Sequence, residues 1–151
     1  MANEIHADYA SGNVLYAVIR NHAGQVWHLA TQVFESWGAS DHTADDYDIT
    51  LTDKSGSRYV GSFDAEVPPG SYSIQVFRQV GASPADVDTL VCSREAIWTG
   101  TGELTTAKIL ANKSVQDKVT GTVEYYDDDS QTVLLTLMPY DLESTIALIP
   151  Q

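Results

Sequence analysis

Cysteine is nearly absent: Cys92 is the only one in 151 residues. No intrachain disulfide and no thiolate zinc site can therefore be assembled, and the fold must rest on packing. Basic residues are scarce as well, eight Lys and Arg against 21 Asp and Glu, for a formal net charge of −13. That balance repels phosphate backbones and anionic lipid, so nucleic acid and membrane surfaces are poor partners, while it keeps a concentrated protein soluble. No apolar run approaches the roughly 18 residues that span a bilayer. The opening MANEIHADYASG lacks the basic region and apolar core of a signal peptide. Synthesis in a cytoplasm is the expectation, with any later exit by lysis or a leaderless route. Long helical periods, internal repeats and low-complexity tracts are missing too.

Short alternating runs fill the space these absences leave. NVLYAVI, from Asn13 to Ile19, is apolar on both alternating sets, which predicts a central strand covered on both faces. NHAG supplies a turn before QVWH, predicting a hairpin with Trp27 as a core anchor. The stretch from Leu29 to Asp46 reads as a long loop or a broken edge strand, with Phe34 and Trp37 as its large apolar residues. YDITLT alternates cleanly as a half-buried strand, and SRYVGSF follows with Gly61 marking a bulge or a close backbone approach. In VPPGSYSIQVFR a proline-glycine turn feeds a strand whose Tyr72, Ile74 and Val76 point one way, and TLVCSREAIW returns as a further strand. Turn-strand units of this kind recur in immunoglobulin-like sandwiches, so an antiparallel immunoglobulin-like β-sandwich over about residues 7–98 is the expected architecture.

TGTGELTT is small, polar and glycine-bearing, which predicts a linker at 99–106. Beyond it, 107–151 is expected to be a C-terminal β-hairpin region, with a short helix near its start between Leu104 and Ala111. In KVTGTVEYYDDDSQTVLLTL, Val123 and Tyr125 share a face of one strand, and Val133, Leu135 and Leu137 a face of the other. The opposite face carries Tyr126, Leu134 and Met138, so parts of both faces ask for cover, and an isolated hairpin is marginal in water. The sandwich, the final run TIALIP or another subunit must supply that cover. Tyr126, Leu134 and Met138 are therefore the candidate assembly interface.

The acidic residues do not read as a metal site. Asp127, Asp128 and Asp129 are consecutive, whereas a calcium loop spaces its oxygens around a sharp turn, and aspartate favours turns for its own reasons. His42 beside Asp41, Asp45 and Asp46 is a thin histidine–carboxylate set, better read as solvated loop. There is no nucleophile elbow, phosphate-cradling glycine loop or Cys–His pair, so no catalytic, cofactor-binding or metal-ligating residues are assigned. Two carboxylates converging in space, as in glycosidases, are beyond the reach of sequence. Cys92 reads as a small buried hydrophobe. Trp37 is the candidate ligand contact, because tryptophan exposed on a sandwich can stack on sugar rings.

The pieces LYAVIRNHAGQVW, YDITLT, RYVGSFDAEVPPGSYSIQVFRQVGASPADVDTLV, IWTG and KILANKSVQDKVTGTVEYYDDDSQTVLL together resemble a recurrent β-rich module of tailed-phage and prophage virion proteins, also met in environmental bacteria. The resemblance implies a non-enzymatic structural part of a particle, in a tail, baseplate, fibre or head accessory. It implies a homo-oligomer made in the host cytoplasm and contacting other virion proteins. Members of that module carry glycine after YDDD where this chain has Ser130, which leaves the turn type open. A module binding a surface glycan or receptor is the alternative expectation.

Overall fold

A computed structural model describes residues 4–142 and 145–150, with side chains described as far as residue 139. The chain is an all-β fold of two antiparallel sheets, divided into two compact units at 1–96 and 97–151. The first unit contains β1 (Ile5–Asp8), β2 (Leu15–Arg20), β3 (Val26–His28), β4 (Val33–Glu35), β5 (Ile49–Asp53), β6 (Arg58–Gly61) and β7 (Gly70–Arg78). β8 (Thr89–Trp98) runs across the boundary. The second unit adds β9 (Glu103–Leu104), α1 (Thr106–Ala111), β10 (Ser114–Gln116), β11 (Val123–Tyr126), β12 (Val133–Leu142) and β13 (Thr145–Pro150). Among the described residues no helix is long and apolar enough to cross a membrane.

β2 is the central strand that its double apolar pattern predicts. Residues 15–19 are all buried, and β5 and β7 flank it in the order β1-β6-β5-β2-β7-β8. Burying a side chain such as Val18 or Ile19 stabilises the fold by roughly 1.5–3 kcal/mol, provided something lies on each face. Tyr16 and Val18 pack with Val26 and Tyr47, and Trp37 and Phe77 close over that cluster. Of the two expectations for 29–46, the broken edge strand is the one the structure has. The stretch holds β4, paired antiparallel to β3, and two short 3₁₀ turns that lead into Tyr47.

Turn chemistry appears where the residues call for it. Asn21 Oδ1 accepts from the N–H groups of Ala23 and Gln25 and closes the β2–β3 hairpin. Trp27 is an anchor, 2% exposed, with its indole N–H donating to Asp64 at 3.0 Å. Gly61 is a close approach, because a Cβ there would meet Leu51 Cδ2 at 2.5 Å.

One expectation fails in this unit. Cys92 is exposed rather than a buried hydrophobe. Most of β8 is open to solvent, and only its end, at Ala96 and Trp98, is buried.

In the second unit the four-stranded sheet runs β10-β11-β12-β13. The β11–β12 hairpin forms around the acidic turn, and TIALIP adds β13 to the edge of β12. Residues 99–106 carry a turn, β9 paired to the end of β8, and Thr105, whose hydroxyl caps α1 by accepting from Lys108 N–H at 3.2 Å. The hairpin register shifts between Tyr125, opposite Leu135, and Tyr126, opposite Val133. Leu134 is left without a cross-strand partner, as one residue of a β-bulge must be.

Candidate functional site

β2, β7 and the connections after β4 and β7 bring together Tyr16, Arg20, Trp37, Phe77, Ala85 and Asp86 around a cleft of about 260 Å³. Tyr16 and Phe77 stack with ring centroids 5.5 Å apart. Trp37 leans on Tyr47 at 5.0 Å, and the Arg20 guanidinium lies 4.9 Å from its ring centroid, a cation–π arrangement. The Trp37 indole N–H donates to Asp86 at 3.2 Å. Arg20 is fixed in turn, donating to Gln75 Oε1 and to Gly24 O. Trp37, the ligand contact expected from the sequence, is thus half-buried and lines the cleft, with one ring face shared with Arg20.

Behind this wall Asp88 latches the β7–β8 connection. Its carboxylate accepts from Val80 N–H, Ala85 N–H and the Tyr16 hydroxyl. Burial alone would push the Asp88 carboxyl up, but these donors outweigh it and hold the group below its ordinary range. The Tyr16 hydroxyl is pushed far up, first by burial and then by the hydrogen bond to Asp88.

A second cluster lies in the same unit. β3 and β4 pair with Val26 opposite Glu35 and His28 opposite Val33, so His28 and Glu35 share one face of the ribbon. Gly38, Ser40 and Asp41 at positive φ wind the following loop so that His42 returns to that face. His42 Nδ1 lies 2.6 Å from Glu35 Oε1, and the Tyr47 hydroxyl donates to the same oxygen at 3.0 Å. The hydrogen bond from His42 is the largest influence on Glu35 and, with Tyr47, holds its carboxyl below the ordinary range against the effect of burial. His28 is buried at 3% exposure, and its ring lies edge-on to His42 with centroids 4.3 Å apart. Its Nδ1 accepts from Ala30 N–H and Thr31 N–H, both at 3.1 Å. Sequence reasoning set His42 beside Asp41, Asp45 and Asp46, whereas its carboxylate partner is Glu35. Pairing QVWH with QVFE across a hairpin would have found His28 and Glu35 on one face.

The acidic turn is occupied by its own chemistry. Asp127 O accepts from Ser130 N–H, and Ser130 is left-handed at φ 58. Asp129 accepts from Gln131 N–H, Thr132 N–H and the Thr132 hydroxyl. The Thr132 hydroxyl and these amides pull the Asp129 carboxyl down to about 2. Lys108 pairs with Asp127 at 2.7 Å, and Asn112 donates to Asp128.

The three candidate interface residues part company. Leu134 is 5% exposed, and a Cβ on Gly102 would come within 2.8 Å of it, so it belongs to the chain's own packing rather than to an open face. The bulge is the reason, since it removes Leu134 from the alternation that set it beside Met138. Tyr126 is half-buried, with Lys113 over its ring at 4.1 Å and its hydroxyl donating to Glu124. Met138 remains exposed at 45%.

Comparison of the chain with protein-family models, with curated proteins and with solved structures finds no match.

Proposed function

We propose that the chain is a non-enzymatic structural subunit of a larger assembly, of the phage-virion kind, and that its second unit supplies the contact surface. One observation carries this reading. Among the described residues of that unit, the large apolar side chains that are buried are Trp98 and Leu134, whereas Ile97, Leu110, Val115, Val119 and Met138 are exposed by 41–94%. Of these, Val115 lies on β10 and Met138 on β12, and an exposed apolar side chain on a sheet gains stability when association buries it. The open backbone edge of β10, whose three residues are all exposed, gives a second means of pairing. The virion setting, with synthesis in a host cytoplasm, is supported by the sequence resemblance. The immunoglobulin-like form of the first unit is supported by the Pro68-Pro69-Gly70 turn into β7 and by the Tyr72 hydroxyl, which donates back to Pro68 O at 2.7 Å in the manner of a tyrosine corner.

Sedimentation over a concentration series tests the assembly reading. Self-association that Met138→Asp and Val115→Asp weaken, with circular dichroism unchanged, is the expected result. A wild type that stays monomeric at high concentration and joins no particle proteins would overturn it.

A second reading is favoured by the Trp37 cleft, whose aromatic wall, with the Arg20 guanidinium and the Asp86 carboxylate on its lining, suits one sugar ring of a surface glycan or receptor. Specific glycan-array binding abolished by Trp37→Ala would establish it. A blank array, or binding indifferent to that change, would remove it.

A further inference from the structure

We propose that His28, Glu35 and His42 form a binding site for a divalent transition cation of the Zn²⁺ class, which clamps the β3–β4 ribbon to the loop that carries Trp37. One ligand atom from each residue lies within 4.8 Å of the others. Two imidazoles and a carboxylate are a donor set that zinc takes with a fourth position open to water, and the nitrogen majority selects against calcium and magnesium. His28 is buried, while His42 and Glu35 are 26% and 18% exposed, so one flank of the site is reachable from solvent.

Bonds of 2.0–2.1 Å to a tetrahedral ion set its ligand atoms about 3.3 Å apart. The His42–Glu35 pair, now 2.6 Å apart, must open slightly, and His28 must draw in. The ionised Glu35 is an acceptor only, so the hydrogen between the two is carried by His42 Nδ1. When the cation binds at Nδ1, that hydrogen passes through solvent to Nε2, so the ring stays neutral with its one hydrogen on the other nitrogen. The Tyr47 hydroxyl, already donating to Glu35, orients the carboxylate as a hydrogen-bonding neighbour does in protein metal sites.

The consequence at His28 is specific. Its Nδ1 now accepts from Ala30 N–H and Thr31 N–H. A neutral imidazole that binds a cation through either nitrogen carries its hydrogen on the other, so Nδ1 ceases to be an acceptor whichever nitrogen is used. Both amides are released, and both residues are exposed, so water takes them over. The turn persists through Gln32 N–H donating to His28 O at 2.9 Å. Cation binding is therefore written into the backbone of residues 30 and 31.

Calorimetric titration of the untagged chain with ZnCl₂, with amide NMR in parallel, tests this. Saturable binding of one equivalent is expected, with a rise in Tm, and with the Ala30 and Thr31 amides shifting and exchanging faster. Glu35→Gln, which preserves size and the acceptor for Tyr47, and His42→Ala should each weaken binding by roughly tenfold or more. Asp129→Asn should leave the titration unchanged. The proposal is overturned by no saturation below about 100 μM Zn²⁺, by affinity indifferent to both site variants, or by amide shifts centred on Cys92 or on Asp127–Asp129. If His42→Ala fails to fold, Glu35→Gln and the wild-type amide shifts decide the matter alone.

Discussion

Tyr16 and Asp88, 72 positions apart in sequence, are joined by a hydrogen bond of 3.1 Å from the phenol to the carboxylate. Tyr16 stands on the central strand and Asp88 just ahead of β8, so the bond ties the β7–β8 connection to the middle of the sheet. It also holds one wall of the Trp37 cleft, since Ala85 and Asp86 lie in that connection.

Loss of this latch should cost more at the acceptor than at the donor. Asp88→Ala strands Val80 N–H, Ala85 N–H and the Tyr16 hydroxyl at once, and should lower stability by about 2–4 kcal/mol, whereas Tyr16→Phe should cost about 1–2 kcal/mol. The Asp88 carboxyl is held down in the folded state, so its contribution is present above the unfolded carboxylate range and is lost as pH falls through the folded value. Urea denaturation of both variants from pH 7 to pH 3 measures this, and the difference between Asp88→Ala and wild type should shrink on acidification.

Asp129 provides a second acid-sensitive contribution, in the other unit. Its carboxyl falls from 3.8 to about 2 on folding, so its stabilisation is complete above about pH 5 and is lost progressively between about pH 5 and pH 1. Asp129→Asn should flatten the acid limb of the second unit's stability over that window. Hydrogen exchange of the β11–β12 amides at stepped pH reads it. An acid limb identical to that of the wild type would mean that the Thr132 contacts contribute nothing.

Exposed Cys92 should react with a thiol reagent in the native protein, but more slowly than in denaturant, because partial burial pushes its thiol up and lowers the thiolate fraction. Non-reducing electrophoresis of freshly prepared material should still show a monomer, because assembly is expected to use apolar side chains and strand edges rather than this thiol. Protection of Cys92 from labelling in dilute solution would show that the outer face of β8 is covered by another molecule.

Alternation alone placed β2 as a doubly covered strand, Trp27 as an anchor and the acidic run as a hairpin turn. Each is a local consequence of side-chain period and turn chemistry, which neighbouring residues set without outside help. For 29–46 a broken edge strand was one of two expectations, and only its bounds were illegible, because β4 is three residues long and the 3₁₀ turns around it have no period to detect. Its order comes from what Trp37 and Tyr47 bury against β2. The β3–β4 register puts His28 and Glu35 on one face, whereas the return of His42 to them depends on the loop, and no spacing within the chain announces it. Leu134 shows the same limit on a smaller scale, since alternation set it with Tyr126 and Met138 on a face that needs cover without saying what covers it, and the structure buries it at a register shift. Sequence by itself determined the strands with a clear alternation and the turns between them, because those depend on residues two to four positions apart, whereas the short strands β1, β9 and β10 carry too few residues to show a period. Tertiary structure alone decided which side chains converge and which remain exposed, because those depend on register and on surfaces tens of residues away.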